Sequence, residues 1–208
     1  MDEIPVYIIN LEHRTERKEQ ILKELEKNYI NNFKFIKAIP GNTLNLEELL
    51  KNGTVNFNKI KMNRNEIGCY MSHLSILESI LDSDQELHLI LEDDAFFEMN
   101  FKNRMNKALN KIKNYEWDVL FAGVNVYDIT SYDGKYIGEK CDGIYYPDNI
   151  LPGTHGYVIK KSAVQKIIQE MRTIDYPYDL KVMIHTKKLV LRNTLIKTSN
   201  LYSDTLNE

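Results

Sequence analysis

The sequence has few of the features that mark a specialised class of protein. It holds only two cysteines among 208 residues, Cys69 and Cys141, and their separation matches no metal or redox spacing. We therefore expect two reduced thiols and a cytoplasmic location. No apolar run approaches the roughly 20 residues of a membrane span. The start of the chain, Met1 to Pro5, has no basic segment followed by an apolar one, so we expect neither a transmembrane segment nor a signal peptide.

Neither sign of charge dominates the chain, which has 27 Lys and Arg against 30 Asp and Glu and a net charge of -3. Nucleic-acid binders usually carry a basic excess, so we expect no nucleic-acid partner. A hydrophobic content of 43% is ordinary for a globular protein. The length suits one α/β domain and hardly two. Because no repeat or linker divides the chain, we predict one domain over residues 1–208.

Alternating strand and helix patterns predict a layered α/β fold. A short apolar strand at Val6–Ile9, an amphipathic helix at Arg14–Glu26 and a second strand at Phe33–Ala38 form a βαβ unit, which favours parallel pairing. The apolar positions of this helix are expected to face inward; they are Ile21, Leu22 and Leu25.

Later elements follow from caps and apolar spacing. Asn63 and Glu66 form a capping box for a helix that runs to about Leu81. Ser162 and Gln165 predict a second capping box. Residues 124–152 are predicted to form a hairpin or loops, and a short helix with one or two strands is expected after Asp179. The remaining predicted elements are strands at Leu87–Leu91, Trp117–Phe121 and Tyr157–Ile159 and a helix at about Asn100–Ile112.

The most informative segment is the acidic strand end Glu92, Asp93 and Asp94. In open α/β sheets, ligands bind outside the carboxyl ends of the strands. Three adjacent carboxylates repel one another there unless a positive charge lies among them, and a hard divalent cation is the natural partner. A cation that also bridges a diphosphate would neutralise the charge on a leaving nucleotide. The alternative is a solvated acidic turn.

Five blocks of sequence, in the same order, resemble glycosyltransferase family 25, which includes lipooligosaccharide galactosyltransferases and the collagen galactosyltransferase domain. The resemblance spans residues 4 to 180. Each block alone is a weak signal, but five blocks in the same order identify the family specifically. The blocks are Tyr7–Arg17 with an Asn-Leu-x-x-Arg-x-x-Arg turn, Glu66–His73 with a Glu-x-Gly-Cys-x-x-Ser-His helix, Leu91–Asp94, Trp117–Gly123 with a Trp-Asp strand, and Gly153–Ile159 with a Gly-Thr-x-x-Tyr strand.

The resemblance implies a GT-A-type fold, that is, a Rossmann-like mixed sheet flanked by helices in a single α/β domain. It also implies a Mn²⁺ or Mg²⁺ cofactor and a UDP-sugar donor. In this interpretation Asp94 binds the metal, and Glu92 and Asp93 belong to the donor site. Gly153 and Thr154 border the sugar, where glycine permits close approach of the backbone.

Further donor contacts are expected from the helix at Arg14–Glu26 and from the helix that Asn63 caps. Asn10 ends the first strand, where it could bond the base or the ribose. Arg14 and Arg17 lie one turn apart and could hold the diphosphate with planar guanidinium groups; the alternative is a solvated face paired with glutamates. The resemblance places Ser72 and His73 beside the nucleotide, and the alternative for His73 is a structural histidine.

Two residues near the end of the matched region carry the remaining expectations. His155 is a candidate second metal ligand, since neutral imidazole is a good ligand beside carboxylates; otherwise it is structural or contacts the acceptor. Asp179 is the first candidate for the base that takes the proton of the acceptor hydroxyl in an inverting transfer. Its alternative role is to cap the following helix. Asp118 and Asp148 are weaker candidates for the base.

These observations predict a metal-dependent glycosyltransferase that moves a hexose, galactose or glucose, from a UDP-sugar to a hydroxyl of a glycan or protein-linked acceptor, with inversion. Two other classes stay open. One is a non-catalytic glycosyltransferase-like module that binds a nucleotide or a protein partner, and the other is an acidic-site phosphotransfer enzyme. Self-association into a homo-oligomer, the sugar and the acceptor also stay open.

Overall fold

The computed structural model describes residues 1, 3–125, 132–138 and 143–198, so Cys141 lies outside the described residues. The helices are α1 (Thr15–Lys27), α2 (Leu46–Lys51), α3 (Arg64–Leu81), α4 (Phe101–Ile112), α5 (Lys161–Glu170) and α6 (Tyr178–His185). The strands are β1 (Val6–Asn10), β2 (Phe33–Lys37), β3 (Leu87–Glu92), β4 (Ala95–Phe97), β5 (Val119–Gly123), β6 (Gly134–Tyr136), β7 (Ile144–Pro147), β8 (Gly156–Lys160), β9 (Lys188–Leu191) and β10 (Ile196–Thr198).

Eight strands form one mixed sheet in the order β2-β1-β3-β8-β5-β9-β7-β6. The pairs β1/β2, β1/β3 and β5/β9 are parallel. Strand β8 is antiparallel to both β3 and β5, so its first residue, Gly156, lies opposite Leu91 on one side and Gly123 on the other. The start of β8 therefore meets the carboxyl ends of β3 and β5 at one edge of the sheet. Strands β4 and β10 form a separate antiparallel pair.

The strands alternate their side chains between two cores, because successive residues of a strand point to opposite faces of the sheet. On one face Ile90 and Tyr157 pack with residues of α3, α5 and α6. On the other face Leu89 and Val158 pack with residues of α1 and α4. The result is a three-layer domain in which helices cover both faces of the sheet.

Most local predictions are confirmed, and two details are wrong. The βαβ unit, the hairpin within residues 124–152 (β6/β7) and the Asn63–Glu66 capping box are present. Leu22 does not face inward: it is 37% exposed, and Arg17 joins Ile21 and Leu25 on the buried face.

The predicted Ser162 cap is also absent, because the chain runs from β8 directly into α5 and Lys160 is the N-cap. Ser162 instead donates a hydrogen bond to Glu86. The apolar spacing of α3 does predict its inner face. Ile67, Tyr70 and Leu77 are buried, and Met71, Leu74 and Leu81 are half-buried and pack against the same core. No helix within the described ranges is both long and apolar enough to cross a membrane.

Candidate active site

The acidic segment lies where β3 ends, beside the start of β8. Glu92 is the last residue of β3, and Asp93 and Asp94 form the turn that leads into β4. The sheet register brings β1, β3, β5 and β8 together at this edge. The three carboxylates have different hydrogen-bond partners, which indicate a different role for each.

Asp93 is held by two residues of the first βα unit. Its Oδ1 accepts a hydrogen bond from Arg17 Nη1 at 3.1 Å, and its Oδ2 accepts one from Asn10 Nδ2 at 2.8 Å. Both Asp93 and Arg17 are buried. Burial raises the pKa of Asp93, against the opposing effects of Asn10 and Arg17. The geometry therefore gives Asn10 and Arg17 a shared task, which is to fix the turn that carries the acids.

Glu92 is bound on the opposite side of the strand. Its Oε1 accepts a hydrogen bond from Thr154 Oγ1 at 2.7 Å and lies 3.4 Å from His73 Nε2. Burial alone would raise the pKa of Glu92, but His73, His155 and Thr154 outweigh it and lower that pKa to about 2. Glu92 is therefore an anion at neutral pH.

His73 lies behind Glu92 in a buried aromatic cluster. Its side chain is fully enclosed, its Nδ1 lies 3.0 Å from the Tyr157 hydroxyl, and its ring stacks on Tyr178 with centroids 4.2 Å apart. The Tyr157 and Tyr178 hydroxyls are 2.9 Å apart. The structure thus places His73 where it supports Glu92 from within the core.

Asp94 has the least satisfied carboxylate of the three. Its Oδ1 is buried and has no hydrogen-bond partner among the described residues. Burial is the largest cause that raises the pKa of Asp94 to about 7, and the negative charges of Glu92 and Asp93 add to it. A buried, partnerless oxygen beside two other acids is the position at which a cation would be most favourable.

A cleft opens in front of the acids, between the first βα unit and α3. Ser72 tethers one wall: its hydroxyl donates to the Gly68 carbonyl at 2.7 Å and accepts from the Ile39 N–H at 2.9 Å. With its hydroxyl engaged and its side chain buried, Ser72 shapes the wall of the cleft. The residues that line the cleft are Ile9, Leu11, Arg17, Ala38, Ile39, Gly41, Asn65, Cys69, Ser72, Glu92, Asp93 and Asp94.

The segment before β8 closes the site from the other side. Asp179, at the start of α6, accepts a hydrogen bond from the Gly153 N–H through Oδ2 at 2.8 Å and one from the Leu180 N–H through Oδ1 at 2.8 Å. His155 is buried, and its carbonyl accepts from the Glu92 N–H at 3.2 Å. Asp179 therefore holds the segment that supplies Thr154 to Glu92.

The other predicted residues differ in their distance from this group. Arg14 is the N-cap of α1, is partly exposed and pairs with Glu16 at 3.4 Å, and its carbonyl accepts a hydrogen bond from Asn10 Nδ2 at 3.3 Å. Asp118 precedes β5 and accepts from the Lys187 N–H at 2.8 Å, at the sheet edge opposite the acids. Asp148 follows β7 at that same far edge. Asp118 and Asp148, the weaker candidates for the base, therefore lie at the opposite end of the sheet from the acids.

Sequence reasoning placed Ser72 and His73 of α3 at the site but missed Cys69 on the same helix. Cys69 lines the cleft, and one ligand atom each from Cys69, His73 and Glu92 lie within 4.8 Å of one another. The signal was present, because Cys69 and His73 are four residues apart and share a helix face. Nothing local showed that this face meets Glu92.

The fold is that of the GT-A glycosyltransferases. A structure titled as a glycosyltransferase involved in the glycosylation of the major capsid of PBCV-1 matches with a TM-score of 0.52 and 10% identity, covering 96% of this chain and 95% of that one. The galactosyltransferase LgtC, in complex with donor and acceptor sugar analogs, matches with a TM-score of 0.50 and 11% identity, covering 98% and 91%. At such identities the likeness shows the fold alone.

The chain belongs to glycosyltransferase family 25: the model of that family, described as an LPS biosynthesis protein, matches residues 3–182. Human procollagen galactosyltransferase 2 is 27% identical over 184 residues, which are 78% of this chain and 27% of the relative. A glycosyltransferase 25 family member of Anopheles gambiae is 30% identical over 176 residues, covering 79% and 28%. The chain thus spans about a quarter of the length of these relatives. The predicted family and mixed-sheet fold are confirmed.

Proposed function

We propose that this chain transfers a hexose, galactose or glucose, from a UDP-sugar to a hydroxyl of a glycan or protein-linked acceptor, with a Mn²⁺ or Mg²⁺ cofactor and inversion at the anomeric carbon. Family membership supports sugar transfer. A relative named procollagen galactosyltransferase supports galactose and a protein-linked acceptor. The LPS biosynthesis description of the family supports a glycan acceptor equally well.

The observation that carries the proposal is the buried Oδ1 of Asp94, which has no hydrogen-bond partner within the part of the chain that the structure describes. Burial, Glu92 and Asp93 raise the pKa of this carboxyl to about 7 although the Arg17 charge opposes them, so the site favours additional positive charge. These oxygen donors fit a hard divalent cation, with Asp94 as the ligand facing the cleft. When bound, such an ion would supply positive charge to the diphosphate that departs from the sugar.

The chain's own residues would orient the donor around this point. Asn10 and Arg17 fix Asp93, and with it the turn from which Asp94 extends. Arg14 lies at the start of α1, is linked to Asp93 through Asn10, and is partly exposed, which suits a contact to the diphosphate. The sugar would lie against Gly153 and Thr154, whose positions are set by Asp179 and Glu92.

Asp179, the proposed base, can still accept a proton while it holds the backbone of Gly153. A carboxylate offers about four lone-pair sites, and the two described N–H contacts of Asp179 use one on each oxygen.

His155 is the proposed second ligand of the ion at Asp94. It does not belong to the group of described ligand atoms within 4.8 Å of one another, which come from Cys69, His73 and Glu92. Its role as a ligand stays a prediction.

The test is UDP release from a panel of UDP-sugars with and without Mn²⁺. Wild type should hydrolyse one or two donors only with the ion. Asp94→Asn should lower kcat/KM by at least about a hundredfold, because the ion loses its charged ligand. Asp148→Asn, at the exposed far edge of the sheet, is the matched control and should leave the rate unchanged.

The other outcomes separate the rival classes. If wild type hydrolyses no donor, and UDP with Mn²⁺ does not raise its Tm, the proposal is abandoned. If UDP with Mn²⁺ raises the Tm but no donor is cleaved, the chain is a non-catalytic nucleotide-binding module. If Asp94→Asn keeps full activity, the assignment of the ion to Asp94 is wrong.

A further inference from the structure

A second group of metal-binding side chains lies behind the acids, at the floor of the cleft. Cys69 and His73 project from successive turns of α3 toward Glu92, and one ligand atom from each of the three residues lies within 4.8 Å of the others. This is a mixed sulfur, nitrogen and oxygen set. Its chemistry differs from that of Asp93 and Asp94, which offer only oxygen.

Of these three residues, His73 has the surroundings that most favour metal binding. Its side chain is fully buried, and Nε2 has no hydrogen-bond partner among the described residues. The other ring nitrogen, Nδ1, lies 3.0 Å from the Tyr157 hydroxyl. In the metal-free protein Nε2 faces Glu92 Oε1 at 3.4 Å. With an ion bound, Nδ1–H would donate to that hydroxyl and leave the Nε2 lone pair for the metal. Stacking on Tyr178, with the two ring planes 8° apart, fixes the ring in this orientation.

The spacing also suits a tetrahedral ion. His73 Nε2 and Glu92 Oε1 lie 3.4 Å apart, without the alignment of a hydrogen bond. Two nitrogen or oxygen ligands on one tetrahedral Zn²⁺ ion are separated by about 3.4 Å, as metal–ligand lengths of about 2.0–2.1 Å require. A sulfur ligand lies slightly farther out, so a movement of about 1 Å by the Cys69 side chain would complete three of the four positions.

We propose that Cys69, His73 and Glu92 form a binding site for a thiophilic divalent cation such as Zn²⁺, separate from the hard-ion site at Asp94. Thiolate and imidazole ligands favour Zn²⁺, whereas Mn²⁺ and Mg²⁺ favour oxygen. Cys69 lines the cleft, so an ion reaches the site from solvent. Binding forms a Zn–S bond and releases the thiol proton to solvent.

Occupancy of this site would inhibit sugar transfer, a consequence that rests on the proposed function. The cleft that would receive the donor is lined by both Cys69 and Glu92. An ion held by these two residues would fill the floor of the cleft and draw Glu92 away from Thr154, its partner at 2.7 Å. Zn²⁺ should therefore inhibit competitively with the donor.

The binding test uses the metal alone, so that it does not depend on catalysis. Wild type, titrated with Zn²⁺ against a chromophoric chelator, should bind one equivalent. Cys69→Ser and His73→Gln should each weaken binding by at least about tenfold, since each removes a ligand. Asp94→Asn removes a neighbouring charge but no ligand, so it should weaken Zn²⁺ binding much less than either ligand variant, and Cys141→Ser controls for the other thiol.

Cobalt gives a second readout that does not require the ligand variants to fold. Cys141→Ser has Cys69 as its single thiol, so Co²⁺ should produce a thiolate charge-transfer band in this variant as in wild type. Absence of that band would overturn the proposal. So would Zn²⁺ affinity that survives Cys69→Ser but is lost in Asp94→Asn, because the ion would then lie on the acids. The Zn²⁺ titration and the Co²⁺ spectrum need no sugar donor, so they test this proposal even if the donor assay fails.

Discussion

At the scale of single residues, Asp94 carries a cost that the described contacts do not offset. A buried polar atom without a partner costs about 1–3 kcal/mol, and more when it is charged. The neighbouring negative charges of Glu92 and Asp93 add to this cost. A ligand that supplies positive charge would therefore stabilise the protein. In the metal-free protein, the stability depends on pH instead, because protonation removes the negative charge of Asp94.

The pH dependence has a definite sign. The pKa of Asp94 is about 7 in the folded protein against 3.8 as the ordinary value, so folding favours the protonated form. The resulting stability is complete below about pH 4 and is lost as the pH rises through about 7. Burial raises the pKa of Asp93 in the same direction. The opposite contribution of Glu92, whose pKa is about 2, is lost only below its ordinary value of 4.5.

We therefore expect the Tm of metal-free protein to fall between about pH 5 and pH 8, and Asp94→Asn to flatten that fall. For a chain of this size, each kcal/mol of stability shifts the Tm by about 2–4 °C. Thermal melts in a chelating buffer measure the effect, with Asp148→Asn as the control. An equal slope in wild type and Asp94→Asn would show that Asp94 does not titrate in this range.

Two substitutions of Asp179 distinguish a role as the base from a role in positioning Gly153. In Asp179→Asn, the side-chain oxygen can still accept the Gly153 N–H, but it cannot take a proton from an acceptor. Asp179→Ala loses both functions. If Asp179 is the base, both variants should lower kcat by about 10²–10⁴-fold. If it only positions Gly153, Asp179→Asn should keep most of its kcat, and only Asp179→Ala should raise KM and lower the Tm.

At the scale of elements, α3 forms one wall of the site by packing directly on the backbone of the segment after β2. Ser72 accepts the Ile39 N–H, and a Cβ atom added to Gly68 would lie 2.3 Å from the Ile39 carbonyl oxygen. The helix and the chain are thus in contact with no room for a side chain. This contact sets the width of the cleft between Cys69 and Gly41.

Gly68→Ala should therefore be destabilising although alanine favours helices. Because the atom that it meets belongs to the backbone, either the helix or the segment at Ile39 must move, at a cost of about 1–3 kcal/mol. Urea unfolding measures the loss. Ser79→Ala, on the exposed face of the same helix, should change stability by less than about 0.5 kcal/mol. Equal stability of Gly68→Ala and wild type would contradict this packing.

At the scale of the whole molecule, the last described strands complete the fold outside the region that the family model matches, which ends at residue 182. Strand β9 extends the sheet beside β5, and β10 pairs with β4, directly after the acids. Ile196 of β10 is fully buried, and a Cβ atom on Gly156 would overlap its side chain. Strand β10 thus packs at the edge of the sheet that carries the site.

Ile196→Ala should lower the free energy of unfolding by about 2–5 kcal/mol, since it leaves a cavity between β10 and the sheet. Lys197→Ala, the next residue on the same strand, is exposed and pairs with Glu98, so it should cost less than about 1 kcal/mol. Denaturant unfolding compares the two variants. Similar losses for both would mean that β10 does not pack against β5 and β8 in solution.

The sequence by itself determined the elements whose signals are local. Caps such as Asn63 and Glu66, apolar periodicity and the ordered family blocks depend on residues within one or two turns, so they predict helices, strand ends and the GT-A class. The same reasoning failed at Ser162, where β8 continues into α5 and no turn gives the serine a cap position. It also left the functional roles of the site residues as predictions.

Only the tertiary structure decided which side chains meet. The pairing of Arg17 with Asp93 joins residues 76 positions apart, and that of His73 with Glu92 depends on how α3 is rotated against the sheet. Helical periodicity fixes which residues share a face but not which neighbour that face contacts. The antiparallel insertion of β8, which brings Thr154 to Glu92, depends on long-range strand pairing that no local pattern specifies.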